Sequence, residues 1–218
     1  AQLFKSEVGL NWVGYTIDVD PVPMALALPS QNEVQLWNQT KWEPTLAATP
    51  ALKGKVFDVV DRSSKGSTTK FKRFRGGFLS VISTSSSKEL QAKSIKRGFG
   101  DEISEWPPEV GDRGDPLDQF IARADAHPDA KFLFTSTPGE LPDCRITKLH
   151  LAGDQREYYV ECPECGAHQI IEIERLHRTE PGRAALSCAC CGVLMPEEQK
   201  AKLLASEIWL QRYPSDDP

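Results

Sequence analysis

Ile95-Lys96-Arg97-Gly98-Phe99-Gly100-Asp101-Glu102 is the stretch on which the fold turns, because it ends in two adjacent carboxylates after a short segment able to form a strand. In a nucleotide-hydrolysing enzyme the first such carboxylate organises Mg2+, and the second orients or deprotonates the attacking water. The competing reading is a solvated turn after an edge strand. Ile95 and Phe99 are its only clear apolar residues, and Lys96, Arg97 and two glycines interrupt them. Its meaning therefore depends on what surrounds it.

Upstream, Ser6 to Ile17 has the periodicity of a helix, with Val8, Trp12, Val13, Tyr15 and Ile17 as its apolar stripe. Pro23 to Leu28 is a continuous apolar run, as expected of a strand buried on both faces of a parallel sheet. Ser30 is placed to N-cap a helix from Gln31 to about Trp42. Strands are expected at Val56–Val60 and Phe78–Ser83, the latter running into a Ser/Thr loop through Ser87. Downstream, a helix is expected from about Leu117 to Ala126 and a strand from Lys131, ending in Thr135-Ser136-Thr137-Pro138.

Strands alternating with helices in this order predict an α/β fold with a mainly parallel sheet and flanking helices. Ligands then belong at the carboxyl ends of the strands, where the hydroxyls and carboxylates fall. Past Gly153 a short strand at Glu157–Glu161, clustered cysteines and a helix at about Pro196–Ser206 form something smaller. The expected division is 1–150 and 151–218.

The formal net charge of −5 and pI near 5.5 argue mildly against a dedicated nucleic-acid-binding domain. Distribution tells more than the sum. From Arg62 to Lys88 there is no Asp or Glu, while Arg62, Lys65, Lys70, Lys72, Arg73, Arg75 and Lys88 are basic, and Lys93, Lys96 and Arg97 follow. The run reads either as a footprint for a polyanion or as a solvated hairpin face. The first residues lack the features of a signal peptide, and no apolar run is long enough to span a bilayer. A soluble, intracellular protein, cut from a longer chain, is the expectation.

Ala1-Gln2-Leu3-Phe4-Lys5-Ser6 lies immediately before the first helix. Phosphate-binding loops place a Lys on the β/γ-phosphates and a Ser or Thr hydroxyl on Mg2+ at a helix N-terminus, where the dipole favours anions. Lys5-Ser6 has those endings, although Phe4 stands where a Gly is usual and a simple helix cap accounts for the same residues. The strand-end hydroxyls of Thr135-Ser136-Thr137 are placed to reach a γ-phosphate, or merely reflect β-propensity before a Pro stop.

Six cysteines occur, at 144, 162, 165, 188, 190 and 191. Cys162-x-x-Cys165-Gly and Cys188-x-x-Cys191-Gly are paired knuckles, and four thiolates from Cys162, Cys165, Cys188 and Cys191 close a tetrahedral structural Zn2+ site. Cys190 can replace a neighbour, His168 is an outside candidate, and Cys144 reads as a buried small hydrophobe.

Lys-Ser before a helix, then Asp101-Glu102, then a strand ending Ser136-Thr137-Pro138, resembles the ATPase engine of the tailed-phage terminase large subunit, in the GpA-like family related to the lambda packaging enzyme. The resemblance extends through Asn11-Trp12-Val13-Gly14-Tyr15, Thr49 to Val56, Gly76-Gly77-Phe78-Leu79, Gly114-Asp115-Pro116 and Tyr158 to Gly166. It implies a P-loop NTPase-like sheet followed by a zinc-ribbon-like module. It also implies Gln2, Lys5 and Ser6 at ATP and Mg2+, Asp101 as the magnesium carboxylate, Glu102 as catalytic base, and Ser136 and Thr137 coupling γ-phosphate status to movement. An arginine stabilising transition-state charge is expected, with Arg97 and Arg123 as candidates. The implied role is translocation of double-stranded DNA into a procapsid in the host bacterial cytoplasm. Implied partners are the small terminase subunit, the portal and further copies of the chain, and the family's nuclease is expected elsewhere. The alternative is a zinc-stabilised scaffold with a degenerate nucleotide site; a helicase is a third reading, without its later motifs.

Overall fold

The structure, a computed structural model, describes residues 5–57, 67–140, 143–206 and 208–213. The chain divides into two compact units, Ala1–Thr147 and Lys148–Pro218.

In the first unit, α1 (Lys5–Asp18) leads to β1 (Met24–Leu28), every residue of which is buried. The helix buries Gly9, Leu10, Val13, Thr16 and Ile17. Val8 and Tyr15, expected in the apolar stripe, face outward instead, at 55% and 53% exposure. Leu10, Val13 and Ile17 are spaced three and four apart and so share one line of the helix surface, from which Val8 and Tyr15 are turned away.

Ser30 caps α2 (Gln31–Trp37) by accepting from Glu33 N–H at 3.3 Å. The expected helix to Trp42 then widens into a π turn over Asn38–Trp42 before α3 (Glu43–Ala48). The wide turn lets Trp37 and Trp42 stack with ring centroids 6.0 Å apart. Of the strand expected at 56–60, Val56 makes one isolated bridge to Phe74, and 58–60 lie outside the described residues.

β2 (Phe71–Phe74) pairs antiparallel with β3 (Gly77–Ser83), and α4 (Ser87–Leu90) precedes β4 (Arg97–Gly100). Asp115 caps α5 (Pro116–Ile121), which tightens into a 3-10 turn at Ala122–Ala124 and ends short of the expected Ala126. β5 (Lys131–Phe134) follows. Among the described residues the sheet order is β2-β3-β1-β4-β5, with β1, β3, β4 and β5 parallel.

Two layers cover this sheet. On one face Leu10, Val13 and Ile17 of α1 and Val34 and Trp37 of α2 pack against Met24, Leu26, Leu79, Val81 and Phe99. The other face carries an aromatic layer in which Phe120 meets Trp106, Phe132 and Phe134 edge to face.

The glycines that interrupt the apolar pattern of β4 are explained by that layer. A Cβ on Gly98 would lie 2.3 Å from the Phe132 ring, and one on Gly100 would lie 2.8 Å from Phe134 and 3.0 Å from Trp106. The strand is fully buried despite its few apolar side chains, because neighbouring rings occupy the space those side chains would fill.

The chain crosses into the second unit along α6 (Arg145–Ala152). There β6 (Glu157–Glu161) pairs with β7 (His168–Ile170), while β8 (Leu176–Glu180) and β9 (Arg183–Ser187) form a hairpin extended by β10 (Leu194–Pro196). After α7 (Lys200–Ala205), β11 (Ile208–Leu210) joins the other edge of β6. The helix expected from Pro196 starts as a 3-10 turn at Glu197–Gln199. The small core holds Cys162, Leu186, Cys188, Met195 and Leu203.

The molecule as a whole is mixed α/β with a mainly parallel sheet, followed by a zinc-ribbon-like module built on four clustered cysteines.

Candidate functional site

Strand register brings the polar residues to one edge. Ala27 is level with Gly100, and Gly100 with Phe134. Backbone pairing continues one residue further, Asp101 N–H to Ala27 O at 3.1 Å and Thr135 N–H to Gly100 O at 2.9 Å. Asp101 and Thr135 are thus fixed side by side at the carboxyl ends of β4 and β5, the position ligands occupy in open α/β sheets.

α1 delivers the other half. Gly9 is where it touches the sheet, since a Cβ there would lie 2.0 Å from the Phe99 ring. That close approach sets the first turn of α1 over the end of β4. Ser6 Oγ donates to Asp101 Oδ2 at 2.7 Å, and Thr135 Oγ1 donates to Asp101 Oδ1 at 2.6 Å. The Asp101 carbonyl is held from behind by Trp106 Nε1–H at 3.0 Å.

Lys5 Nζ lies 2.9 Å from Glu102 Oε1 and 3.0 Å from Thr137 Oγ1. The other Glu102 oxygen accepts from Thr137 N–H at 3.1 Å and from Ser136 Oγ at 3.4 Å. Burial would raise the Glu102 carboxyl, but the Lys5 ammonium, the Thr137 N–H and the Ser136 hydroxyl together hold it below the ordinary glutamate value. The Lys5 and Glu102 side chains keep 27% and 36% exposure, so a ligand has access to both, whereas Asp101 is buried.

Lys5, Ser6, Asp101, Glu102, Ser136 and Thr137 therefore converge, and Gln2 lies outside the described residues. Thr135, expected with Ser136 and Thr137 to reach a γ-phosphate, instead places its hydroxyl directly on Asp101. The signal for this was present: it is the first residue after Phe134 and so level with Asp101. Neither arginine candidate reaches this cluster within the chain. Arg97 begins β4 and is tied to Asp20 at 2.7 Å and to Asp129 O at 3.2 Å, while Arg123 packs ahead of the same strand, its carbonyl accepting from Ile95 N–H.

The cysteines form the second cluster. Sulfurs of Cys162, Cys165, Cys188 and Cys191 all lie within 4.8 Å of one another. Cys162 to Cys191 is 3.8 Å and Cys165 to Cys188 is 3.7 Å. A tetrahedron with Zn–S bonds of about 2.3 Å has edges of about 3.8 Å. The two knuckles repeat one backbone design: Gly166 N–H donates to Cys162 O and Gly192 N–H to Cys188 O, with both glycines left-handed at φ 68° and 75°. His168 and Cys190 stand outside the cluster. Cys144 is buried, as expected, but its sulfur is not simply apolar filling: it accepts from Gly139 N–H at 3.1 Å and lies 3.4 Å from Ser104 Oγ.

Among curated proteins, the large terminase subunit of Enterobacteria phage P21 is 25% identical over 147 residues, covering 66% of this chain and 23% of that protein. The chain thus spans less than a quarter of that relative. Among solved structures, the large terminase of a thermophilic bacteriophage aligns over 59% of this chain and 30% of that one, at 16% identity and a TM-score of 0.40. Residues 1–209 match the ATPase domain of the phage terminase large subunit gpA, and it is to that family that the chain belongs.

Proposed function

We propose that the chain is the ATP-hydrolysing part of a DNA-packaging motor. The observation that carries this reading is the convergence of Lys5 and Ser6, from the start of a helix, on Asp101 and Glu102 at the end of a central parallel strand. Lys5 neutralises phosphate oxygens. Ser6 Oγ and Asp101 Oδ2 offer adjacent hard oxygen ligands suited to Mg2+, which supplies charge neutralisation across the phosphates. Thr135 fixes the Asp101 carboxylate through its other oxygen.

Glu102, ionised and partly exposed, orients the attacking water and accepts its proton as the water oxygen bonds to the γ-phosphorus. The bond to the β–γ bridging oxygen breaks, and that oxygen leaves with ADP. Before nucleotide arrives Lys5 is paired with Glu102, so phosphate must compete for the ammonium and in doing so frees the base. Ser136 and Thr137 bind the same carboxylate, and so feel that change directly.

Residues 1–150 serve as the ATPase core, and 151–218 as a module held by structural Zn2+ on four thiolates. Double-stranded DNA is the moved substrate, with the small terminase subunit, the portal and further copies of the chain as partners in the bacterial cytoplasm. A transition-state arginine comes from outside this site, because Arg97 and Arg123 stand at the other end of the sheet. No helix among the described residues is long and apolar enough to cross a membrane.

Glu102→Gln is expected to lower ATP turnover by at least about 100-fold, the low end for loss of a general base, with ATP binding retained. Steady-state hydrolysis and equilibrium nucleotide titration measure the two; wild-type turnover in the variant would remove Glu102 as base. Failure of the unmodified chain to bind ATP would favour the scaffold reading.

A further inference from the structure

At the opposite end of the sheet a buried guanidinium has no complete set of partners. Arg123 is 8% exposed, and its Nε donates to Lys93 O at 2.7 Å, but Nη1 and Nη2 meet no acceptor. Four N–H donors of a cation without an acceptor are costly, because the guanidinium's approach to the Phe120 ring, 5.9 Å to the centroid, recovers only part of its desolvation. Burial alone pushes the guanidinium down to about 10.

Two more cations gather beside it. Lys93 Nζ sits 3.6 Å from the Phe71 ring centroid and 5.1 Å from that of Phe78. Its ammonium is pushed down first by burial, then by the charges of Arg73 and Arg123. Among the described residues of the basic run, four other cations are committed elsewhere: Lys70 to Glu89 at 2.7 Å, Lys96 to Asp129 at 2.6 Å, Arg97 to Asp20, and Lys72 to Asn38 at 2.5 Å, while Arg62 and Lys65 lie outside the described residues. Among the described residues no carboxylate pairs with Arg73, Lys93 or Arg123. Two like charges gathered beside an unsatisfied guanidinium are unfavourable until an anion joins them.

We propose that Arg73, Lys93 and Arg123 form a binding site for a phosphate group, separate from the candidate nucleotide site. A guanidinium fork matches two phosphate oxygens through Nη1 and Nη2, leaving further oxygens for the two flanking cations. A free phosphate group also carries more negative charge than a carboxylate to set against three cations. The Arg123 carbonyl accepts from Ile95 N–H at 3.1 Å and from Ser94 Oγ at 3.2 Å, just ahead of β4, whereas Asp101 follows that strand. A strand of this length separates the two places by roughly 13 Å. The site does not rest on the ATPase reading; its chemistry suits either a free phosphate or a phosphodiester of nucleic acid.

The test follows the Arg123 Nε–H resonance of the full chain by NMR during addition of inorganic phosphate, then of a short DNA duplex. Phosphate is expected to shift that signal, and Lys93→Gln and Arg73→Gln, both at accessible positions, are each expected to weaken the effect about tenfold. Glu102→Gln should leave it unchanged, which separates this site from the candidate catalytic one. Displacement of phosphate by duplex assigns the site to backbone phosphate; indifference to duplex assigns it to a free phosphate. No shift of Arg123 with either probe, or unaltered binding in both folded variants, would overturn the proposal.

Discussion

Glu102 is held in the left-handed region, at φ 49° and ψ 49°, where residues other than glycine are uncommon. The conformation turns the chain sharply after Asp101, so the two adjacent carboxylates serve different partners: Asp101 the hydroxyls of Ser6 and Thr135, Glu102 the Lys5 ammonium. Strain of this kind is sustained by the surrounding structure, here the Glu102 N–H to Asp101 Oδ1 bond and the Thr137 N–H. Because the Glu102 carboxyl is held below 4.5, its interactions stabilise the fold above its unfolded pKa. That contribution is lost as pH falls through the lowered folded value. Lys5→Met removes the ammonium but not the burial, so the Glu102 pKa is expected to rise. Carbon-detected NMR titration of the side-chain carboxyl checks this, and an unchanged midpoint would show that Lys5 does not set its ionisation.

At the scale of elements, the site depends on how closely α1 approaches β4. Gly9→Ala puts a methyl into the Phe99 ring, which is 1% exposed and has nowhere to move. Overpacking of about 1–3 kcal/mol is set against a helix-propensity gain of about 1 kcal/mol. A net loss of stability in urea denaturation is expected, together with weaker ATP binding as the first turn of α1 is displaced. Wild-type stability and affinity would mean that this contact does not position Lys5 and Ser6. The expected strand at 95–100 was hard to recognise for a related reason. Apolar content is the usual signal of a buried strand, yet Gly98 and Gly100 are required by rings from β5, α5 and Trp106. The helix through Trp42 was likewise legible as helix but not as a π turn, which follows from pairing Trp37 with Trp42 and from Lys72 reaching Asn38.

At the scale of the whole molecule, two cores are stabilised in different ways. The first unit has a sheet covered on both faces, whereas the second has only a few buried side chains, among them two of its own cysteines. So small a core needs a covalent or metal staple. Chelation by a strong zinc chelator is therefore expected to release one Zn2+ per chain and to expose Leu186, Met195 and Leu203, seen as dye binding and loss of chemical-shift dispersion within 148–218. Retention of that dispersion in metal-free protein would show that the module folds without the ion.

The sequence by itself determined the alternation of strands and helices, the Ser30 cap, the two cysteine knuckles and the resemblance that orders Lys5, Asp101 and Ser136. These are local or order-dependent features, written in neighbouring residues and their spacing. Only the tertiary structure decided which residues meet: Thr135 on Asp101, Lys5 on Glu102, and Arg97 and Arg123 at the far end of the sheet from both. It also showed which described cations of the basic run are paired, Lys70, Lys96 and Arg97, and which stand beside Arg123, Arg73 and Lys93. Such pairings join residues up to about a hundred positions apart, set by strand register and by packing of side chains whose partners are distant in the chain.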